Sequence, residues 1–319
     1  MLLDVRKLSV DVEIRKKFYP ALVDLNFSIS QGDVLGLVGE SGSGKSITAL
    51  AILGLLDKNF HIKTGEILFQ GQDLLKLRPR ERRMMLGNEL AIIFQDPMNM
   101  LNPLLTIYEQ MAEMITIHNK NVSRSEIRAR VVEALIDVEI SYPEENMYKY
   151  PHEFSGGQRQ RILIAMAILN KPKLLIADES TTALDIIVQN KILKILKNLC
   201  EKHNTTLIII SHDLGLIEYM SNKIIILYAG KILEIGRTED IADRPRHPYT
   251  IALNKSLPEN NKKGEPIFTI RGRVPTIREK KENCPFYPRC SLKKDRCLTE
   301  RIEPVEFEEE HLSYCLESR

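Results

Sequence analysis

Charge of either sign is not in excess in this chain. Its 319 residues carry 45 Lys and Arg against 43 Asp and Glu, a net charge of +2. So near a balance speaks against a protein organised around nucleic-acid or membrane-surface electrostatics. Long apolar runs are missing too. No stretch approaches the roughly 18 apolar residues of a membrane helix, and runs such as 173–177 and 206–210 are strand-sized. Asp4, Arg6 and Lys7 stand where a signal peptide would be apolar, so a non-secreted, cytosolic protein is expected. There is no internal repeat and no low-complexity tract. With 43% hydrophobic residues the chain is not disordered, and its length suits about two domains of ~150 residues.

Cysteine is almost absent until the C-terminal end. Cys200 alone precedes residue 284; Cys284, Cys290, Cys297 and Cys315 follow. In a cytosolic protein such crowding points to metal rather than to disulfides. The spacing C-x5-C-x6-C-x17-C lacks the close pairs usual in structural zinc sites. Four loosely spaced thiolates suit a [4Fe–4S] cluster at least as well. Zinc and metal-free thiols stay open. Cys200 falls on the apolar face of a predicted helix over 186–203 and reads as core packing.

Strand-like and helix-like segments alternate over the first 250 residues. The pattern predicts strands at 2–10, 22–30, 33–38, 66–69, 90–94, 173–177, 206–211 and 223–227, and helices at 45–56, 186–203 and 214–220. From about Met98 to Leu169 it becomes helical, with a capping box at Ser123–Glu126 opening a helix to about Val138. This is an α/β pattern with a helical insertion. Beyond Pro258 the chain is rich in proline and turns, with little core material, and needs a staple or a neighbour to be ordered. The acidic run Glu306, Glu308, Glu309, Glu310 reads as a solvated tail.

Gly39-Glu40-Ser41-Gly42-Ser43-Gly44-Lys45-Ser46, followed by Ile47, matches G-x-x-x-x-G-K-[ST] between a strand and a helix. Glycines let the backbone close around phosphates with its N–H groups inward, and the helix adds its positive end. Lys45 can bridge β and γ phosphates and Ser46 can ligate Mg²⁺. The apolar strand ending at Asp178 and Glu179 offers a second Mg²⁺-shell carboxylate and a general base for the attacking water. Ser155-Gly156-Gly157-Gln158 opens an apolar helix and can form another anion site or an ordinary cap. Gln95 and His212 each follow a strand; His212 is a candidate γ-phosphate contact or a local cap.

In this order the motifs resemble those of ATP-binding-cassette (ABC) ATPases: Walker A at 39–46, Q-loop at Gln95, signature at 155–158, Walker B at 174–179, D-loop from Ser180 to Asp185, H-loop at His212. The words Ile93-Phe94-Gln95-Asp96-Pro97-Met98, Asn102-Pro103, Arg246-His247-Pro248-Tyr249-Thr250 and Pro288-Arg289-Cys290 resemble the dipeptide/oligopeptide importer ATPases, with nickel importers close by. The resemblance implies a P-loop NTPase core with an antiparallel β subdomain and a helical signature subdomain (about 98–169). That domain would span 1–250 and a small Cys-rich extension 251–319. It implies ATP and Mg²⁺, the latter held by Ser46, Gln95 and Asp178, and it favours [4Fe–4S] at the four cysteines.

It also implies a head-to-tail pair in which Ser155–Gln158 and Asp185 serve the partner's nucleotide, with a paralogous ATPase as the usual partner. Two transmembrane permease subunits would dock near 96–110 at the cytoplasmic face of the membrane. An extracellular binding protein would be engaged only indirectly, and nucleic acid not at all. Tyr19 or Phe18 would stack on adenine. Two departures stand out: Phe154 where leucine is usual, expected to pack away from phosphate, and Ser180 where proline is common. A soluble, non-transport ABC protein is the alternative of another class. It normally needs two fused cassettes or a long coiled coil, and this sequence has neither.

Overall fold

The computed structural model of the chain describes residues 1–94, 100–179, 185–257, 268–279, 283–308 and 310–318, and of Ile186 the backbone only. Twelve strands are found among them: β1 Leu3–Ile14, β2 Lys17–Ile29, β3 Val34–Val38, β4 Phe60–Phe69, β5 Gln72–Asp73, β6 Leu90–Ile93, β7 Leu174–Asp178, β8 Thr206–Ser211, β9 Lys223–Tyr228, β10 Lys231–Arg237, β11 Val305–Glu308 and β12 His311–Ser313. The helices used below are α1 Lys45–Leu53, α2 Ile107–His118, α3 Arg124–Asp137, α4 Gly156–Ile168, α5 Ile186–His203, α6 Leu214–Met220 and α7 Pro248–Lys255. The chain forms two compact units, Met1–Lys76 with Ile209–Arg319, and Leu77–Ile208.

The first unit holds an antiparallel sheet ordered β2-β1-β4-β5. Leu3, Val5, Leu8, Val10 and Val12 of β1 are buried, and register shifts along the strand accommodate that uneven spacing. The second sheet of this unit runs β11-β12-β10-β9-β3-β8. β3 and β9 are parallel, with Leu35 opposite Lys223 and Val38 opposite Ile226. Ile224 to Leu227 are fully buried, as befits a strand covered on both faces.

The C-terminal residues take part in this sheet. β12 pairs antiparallel with β10 and β11 with β12, so the edge of β10 is covered. Glu234, fully buried on β10, accepts the N–H groups of Arg246 (2.7 Å) and His247 (2.9 Å), and His311 Nε2 lies 2.8 Å from its Oε1. The acidic run is therefore not a solvated tail over its described residues. Glu306 and Glu308 lie in β11, Glu308 pairs with Arg244 at 2.7 Å, and Glu310 pairs with Lys223 at 3.4 Å. Pairing the backbone of this segment at the sheet edge leaves its carboxylates at the surface, where cations stand opposite two of them.

In the second unit β6 and β7 run parallel, and β8, in which the unit boundary falls, lies beside β7. α2 buries Ile107, Met111 and Ile115; α3 buries Ile127, Val131 and Leu135. Both sets follow the helical period. Ser123 caps α3 by accepting the Glu126 N–H at 3.2 Å. Thr106 and Glu109 form a full capping box on α2. Phe154 is 5% exposed, in keeping with a packing role, and Cys200 is buried on α5, where burial pushes its thiol up to about 12.

Candidate functional site

The phosphate loop leaves β3 and enters α1 with its glycines in conformations that other residues resist. Gly42 has φ 78° and Gly44, the residue before α1, φ 108°. At Gly39 the constraint is space, since a Cβ would stand 2.1 Å from the Leu227 carbonyl oxygen. Lys45 is 6% exposed, and its Nζ donates to the carbonyls of Gly39 (2.7 Å) and Glu40 (3.1 Å). The ammonium is thus already drawn over the loop. Ser46 is exposed in the first turn of α1 and Ile47 half-buried. Ser43 is buried; its carbonyl accepts the Gly230 N–H at 2.6 Å and its own N–H donates to Glu40 O at 3.1 Å. These features fit a polyphosphate: a glycine-rich turn, a helix start and one cation on the loop.

His212 and Asp213 follow β8, the neighbour of β3 in the same sheet. It is Asp213 that caps α6, accepting the Leu216 N–H at 3.2 Å. The local-cap role weighed for His212 thus falls to its neighbour, and His212 stands exposed. Of the two aromatics, Phe18 is 59% exposed and lines a cavity of about 560 Å³ with Pro20, Leu22 and Ala229. Tyr19, on the opposite face of β2, is half-buried and carries the Arg278 guanidinium 5.8 Å from its ring centre.

The second unit holds the other motifs. Asp178 ends β7 in extended backbone, whereas Glu179 turns to a left-handed φ of 43°. Such a conformation costs a non-glycine residue about 1–3 kcal/mol. Ser155 and Gln158 form a reciprocal capping box on α4: Ser155 Oγ accepts the Gln158 N–H at 3.3 Å and Gln158 Oε1 accepts the Ser155 N–H at 2.9 Å. Gly156 has open space where a Cβ would sit, while a Cβ on Gly157 would touch Val188 at 3.0 Å. Asp185 caps α5 through the Val188 N–H at 3.0 Å. Gln95, Asp96–Met98 and residues 180–184 of the D-loop lie outside the described residues.

The four C-terminal cysteines, scattered over 32 positions of sequence, line one small cavity together with His247, Pro248 and Phe286. None is in a disulfide. Burial pushes the Cys284 thiol up to about 11, and the other three thiols add to the rise. Cys290 and Cys315 are raised by burial as well. Backbone N–H groups nevertheless point at sulfur, Leu292 at Cys290 (3.4 Å) and Glu317 at Cys315 (3.3 Å). His247 Nδ1 accepts the Tyr249 N–H at 3.0 Å, which leaves the proton on Nε2, and that buried Nε2 has no hydrogen-bond partner. An orphaned donor on the wall of a sulfur-lined cavity fits a group that brings its own acceptors. No three Cys, His, Asp or Glu side chains among the described residues are grouped as one metal ion requires.

Residues 22–182 match the family model described as ABC transporter. The chain belongs to the ABC transporter family. Residues 233–297 of this ABC ATPase match a second model, the oligopeptide/dipeptide transporter C-terminal region. It is 44% identical to the dipeptide transport ATP-binding protein DppD of Escherichia coli (strain K12), over 94% of this chain and 91% of that protein. It is 42% identical to the oligopeptide transport ATP-binding protein AppD of Bacillus subtilis (strain 168), over 93% and 91%. Among solved structures it is similar to the ATP-binding cassette MJ0796, a dimer in a post-hydrolysis state bound to ADP and Pi. There the TM-score is 0.65 at 29% identity, over 74% of this chain and 99% of that one. The cassette fold, and ATP hydrolysis coupled to transport, follow for this chain.

One contact of the ABC ATPase had no trace in the sequence. Arg289 donates to the Glu40 carboxylate in the phosphate loop, 249 positions away, at 2.7 Å. Pro288-Arg289-Cys290 stood out only as a family word, and nothing in one sequence pairs two distant opposite charges.

Proposed function

We propose that this chain is the ATP-hydrolysing subunit of a peptide importer, working as one half of a head-to-tail cassette pair. The match of residues 233–297 to the oligopeptide/dipeptide transporter C-terminal region carries the choice of peptide over other solutes. In this reading Lys45 and the N–H groups of the loop hold the β and γ phosphates, and His212 contacts the γ-phosphate. Glu179 takes the proton of the attacking water. Ser46, Gln95 and Asp178 would hold Mg²⁺, which would supply positive charge to the phosphates. Ser155–Gln158 present the start of α4 to the nucleotide on the other cassette, with Asp185 nearby. Tyr19 or Phe18 stacks on adenine.

The other cassette is a paralogous ATPase, and permease subunits dock near 96–110 at the cytoplasmic face. Among the described residues no helix is long and apolar enough to cross a membrane, so the permease supplies the transmembrane path. Isolating the intact complex with its binding protein and identifying the bound ligand by mass spectrometry tests the substrate. A di- or oligopeptide is expected, and bound nickel in its place would transfer the chain to the metal importers of the same family.

The cysteines form a [4Fe–4S] site in this reading, with zinc as the alternative. Four thiols around one cavity, N–H groups aimed at sulfur and the orphaned His247 donor support it. The role is structural: the centre cross-links residues that carry little apolar core. Anaerobically purified protein is expected to be brown, with about four irons and four sulfides per chain. A colourless protein with one zinc would make this a zinc-stapled segment, and absence of both metals would refute the metal reading.

A further inference from the structure

Arg289 stands immediately before Cys290, yet its guanidinium is spent on other residues. The side chain is 5% exposed. Nε donates to the Arg271 carbonyl at 3.0 Å and Nη2 to the Ile270 carbonyl at 3.2 Å. Nη1 donates to Glu40 Oε1 at 2.7 Å and to the Tyr228 hydroxyl at 3.2 Å. The rings of Tyr228, Tyr249 and Phe286 pack edge to face or tilted around this junction, with centroids 4.8–5.4 Å apart. Tyr249 also places its hydroxyl 3.3 Å from the Glu40 N–H. Both the backbone and the carboxylate of Glu40 are therefore held from the C-terminal half of this unit.

The electrostatics give the contact a purpose. Glu40 is the second residue of a loop whose task is to gather polyphosphate. A carboxylate there opposes that task unless a cation neutralises it and keeps it turned from the ligand. Lys45 Nζ donates to the Glu40 carbonyl. Arg289 is a cation at hydrogen-bond distance from the Glu40 carboxylate. By holding the carbonyls of 270 and 271 with the same fork, it also ties the phosphate loop to the segment that brings Arg278 over Tyr19. We infer that Arg289 is a positioning residue of the ATP site: it neutralises Glu40 and makes the geometry of the phosphate loop depend on the C-terminal residues around the four cysteines.

The inference rests on the loop at 39–46 being the nucleotide site, which binding by the parent protein tests in the same experiment. The full chain is purified anaerobically and titrated with a fluorescent ATP analogue carrying a methylanthraniloyl group. Variants are Arg289→Gln, Arg289→Lys, Glu40→Gln and the double Arg289→Gln/Glu40→Gln. Gln at 289 keeps an amide able to reach the backbone carbonyls but removes the charge. Arg289→Gln is expected to weaken binding about tenfold, less than a fully buried broken pair costs because Glu40 is partly exposed.

Arg289→Lys is expected to restore most of the affinity. In the Glu40→Gln background the Arg289 change should cost less than about twofold, the non-additivity of residues that act through one contact. In the assembled transporter KM for ATP should rise with kcat little changed. Equal losses in both backgrounds would reduce Arg289 to a brace of the C-terminal segment and overturn the inference, as would parent-like binding by Arg289→Gln. If the parent itself fails to bind, the nucleotide assignment of the loop falls first. Should Arg289→Gln fail to fold, Glu40→Lys decides. It places two cations at the junction, and unchanged affinity there overturns the inference.

Discussion

Replacing Glu179 by glutamine is expected to slow ATP hydrolysis by about a hundred- to ten-thousand-fold, the usual contribution of a positioned general base. Binding of ATP should persist. Glutamine has the shape of glutamate but cannot take a proton near neutral pH, so the variant isolates chemistry from packing. The backbone supports the separation of roles. Asp178 stays in the extended geometry of β7, and Glu179 steps out of it at φ 43°. One carboxylate can then serve the cation while its neighbour addresses water. The measurement is steady-state phosphate release by the assembled transporter, with nucleotide content and oligomeric state by gel filtration. A paired, ATP-loaded variant with negligible turnover is the expected result. Turnover equal to the parent would remove Glu179 from the reaction.

The second large effect falls on binding. Lys45→Ala is expected to weaken ATP affinity about ten- to a hundredfold, as for loss of a charged hydrogen bond worth about 1.5–3 kcal/mol. Lys45 is buried, and its ammonium satisfies the carbonyls of Gly39 and Glu40. Truncation therefore removes the proposed phosphate ligand and leaves two loop carbonyls without that donor. These consequences separate by experiment. Loss of phosphate contact appears as a raised dissociation constant in a nucleotide titration. Loss of loop support appears as a lower melting temperature in protein without nucleotide. An unchanged dissociation constant would mean that the loop does not hold ATP through this lysine.

Much of this was legible along the chain because local rules governed it. The helices predicted at 186–203 and 214–220 and the strand at 206–211 are found with those bounds. Their apolar periods are unbroken, and Asp185 and Asp213 cap the helices from within four residues of sequence. The phosphate loop is local for the same reason: its glycines, its lysine and the start of α1 are contiguous. Other elements were not legible. The strand predicted at 66–69 begins at Phe60, where exposed polar residues hide a strand whose pairing with β1 comes from the fold. The acidic run from Glu306 to Glu310 was read as tail because its charges obscured the apolar Val305 and Phe307 beside them, and the strand character of β11 and β12 depends on β10 lying alongside.

By itself, then, the sequence determined the nucleotide chemistry, the order of the motifs and the membership in one ATPase family. Each of these is written in short contiguous words whose backbone geometry follows from glycine freedom, helix starts and strand ends. Only the tertiary structure decided that four cysteines face one cavity, that His247 presents an unpaired donor on its wall, and that Arg289 reaches Glu40. Those relations join residues tens to hundreds of positions apart. Bringing such residues together costs loop entropy that no local pattern records, and it is offset only when the sheet, the aromatic cluster and the buried charges form at once.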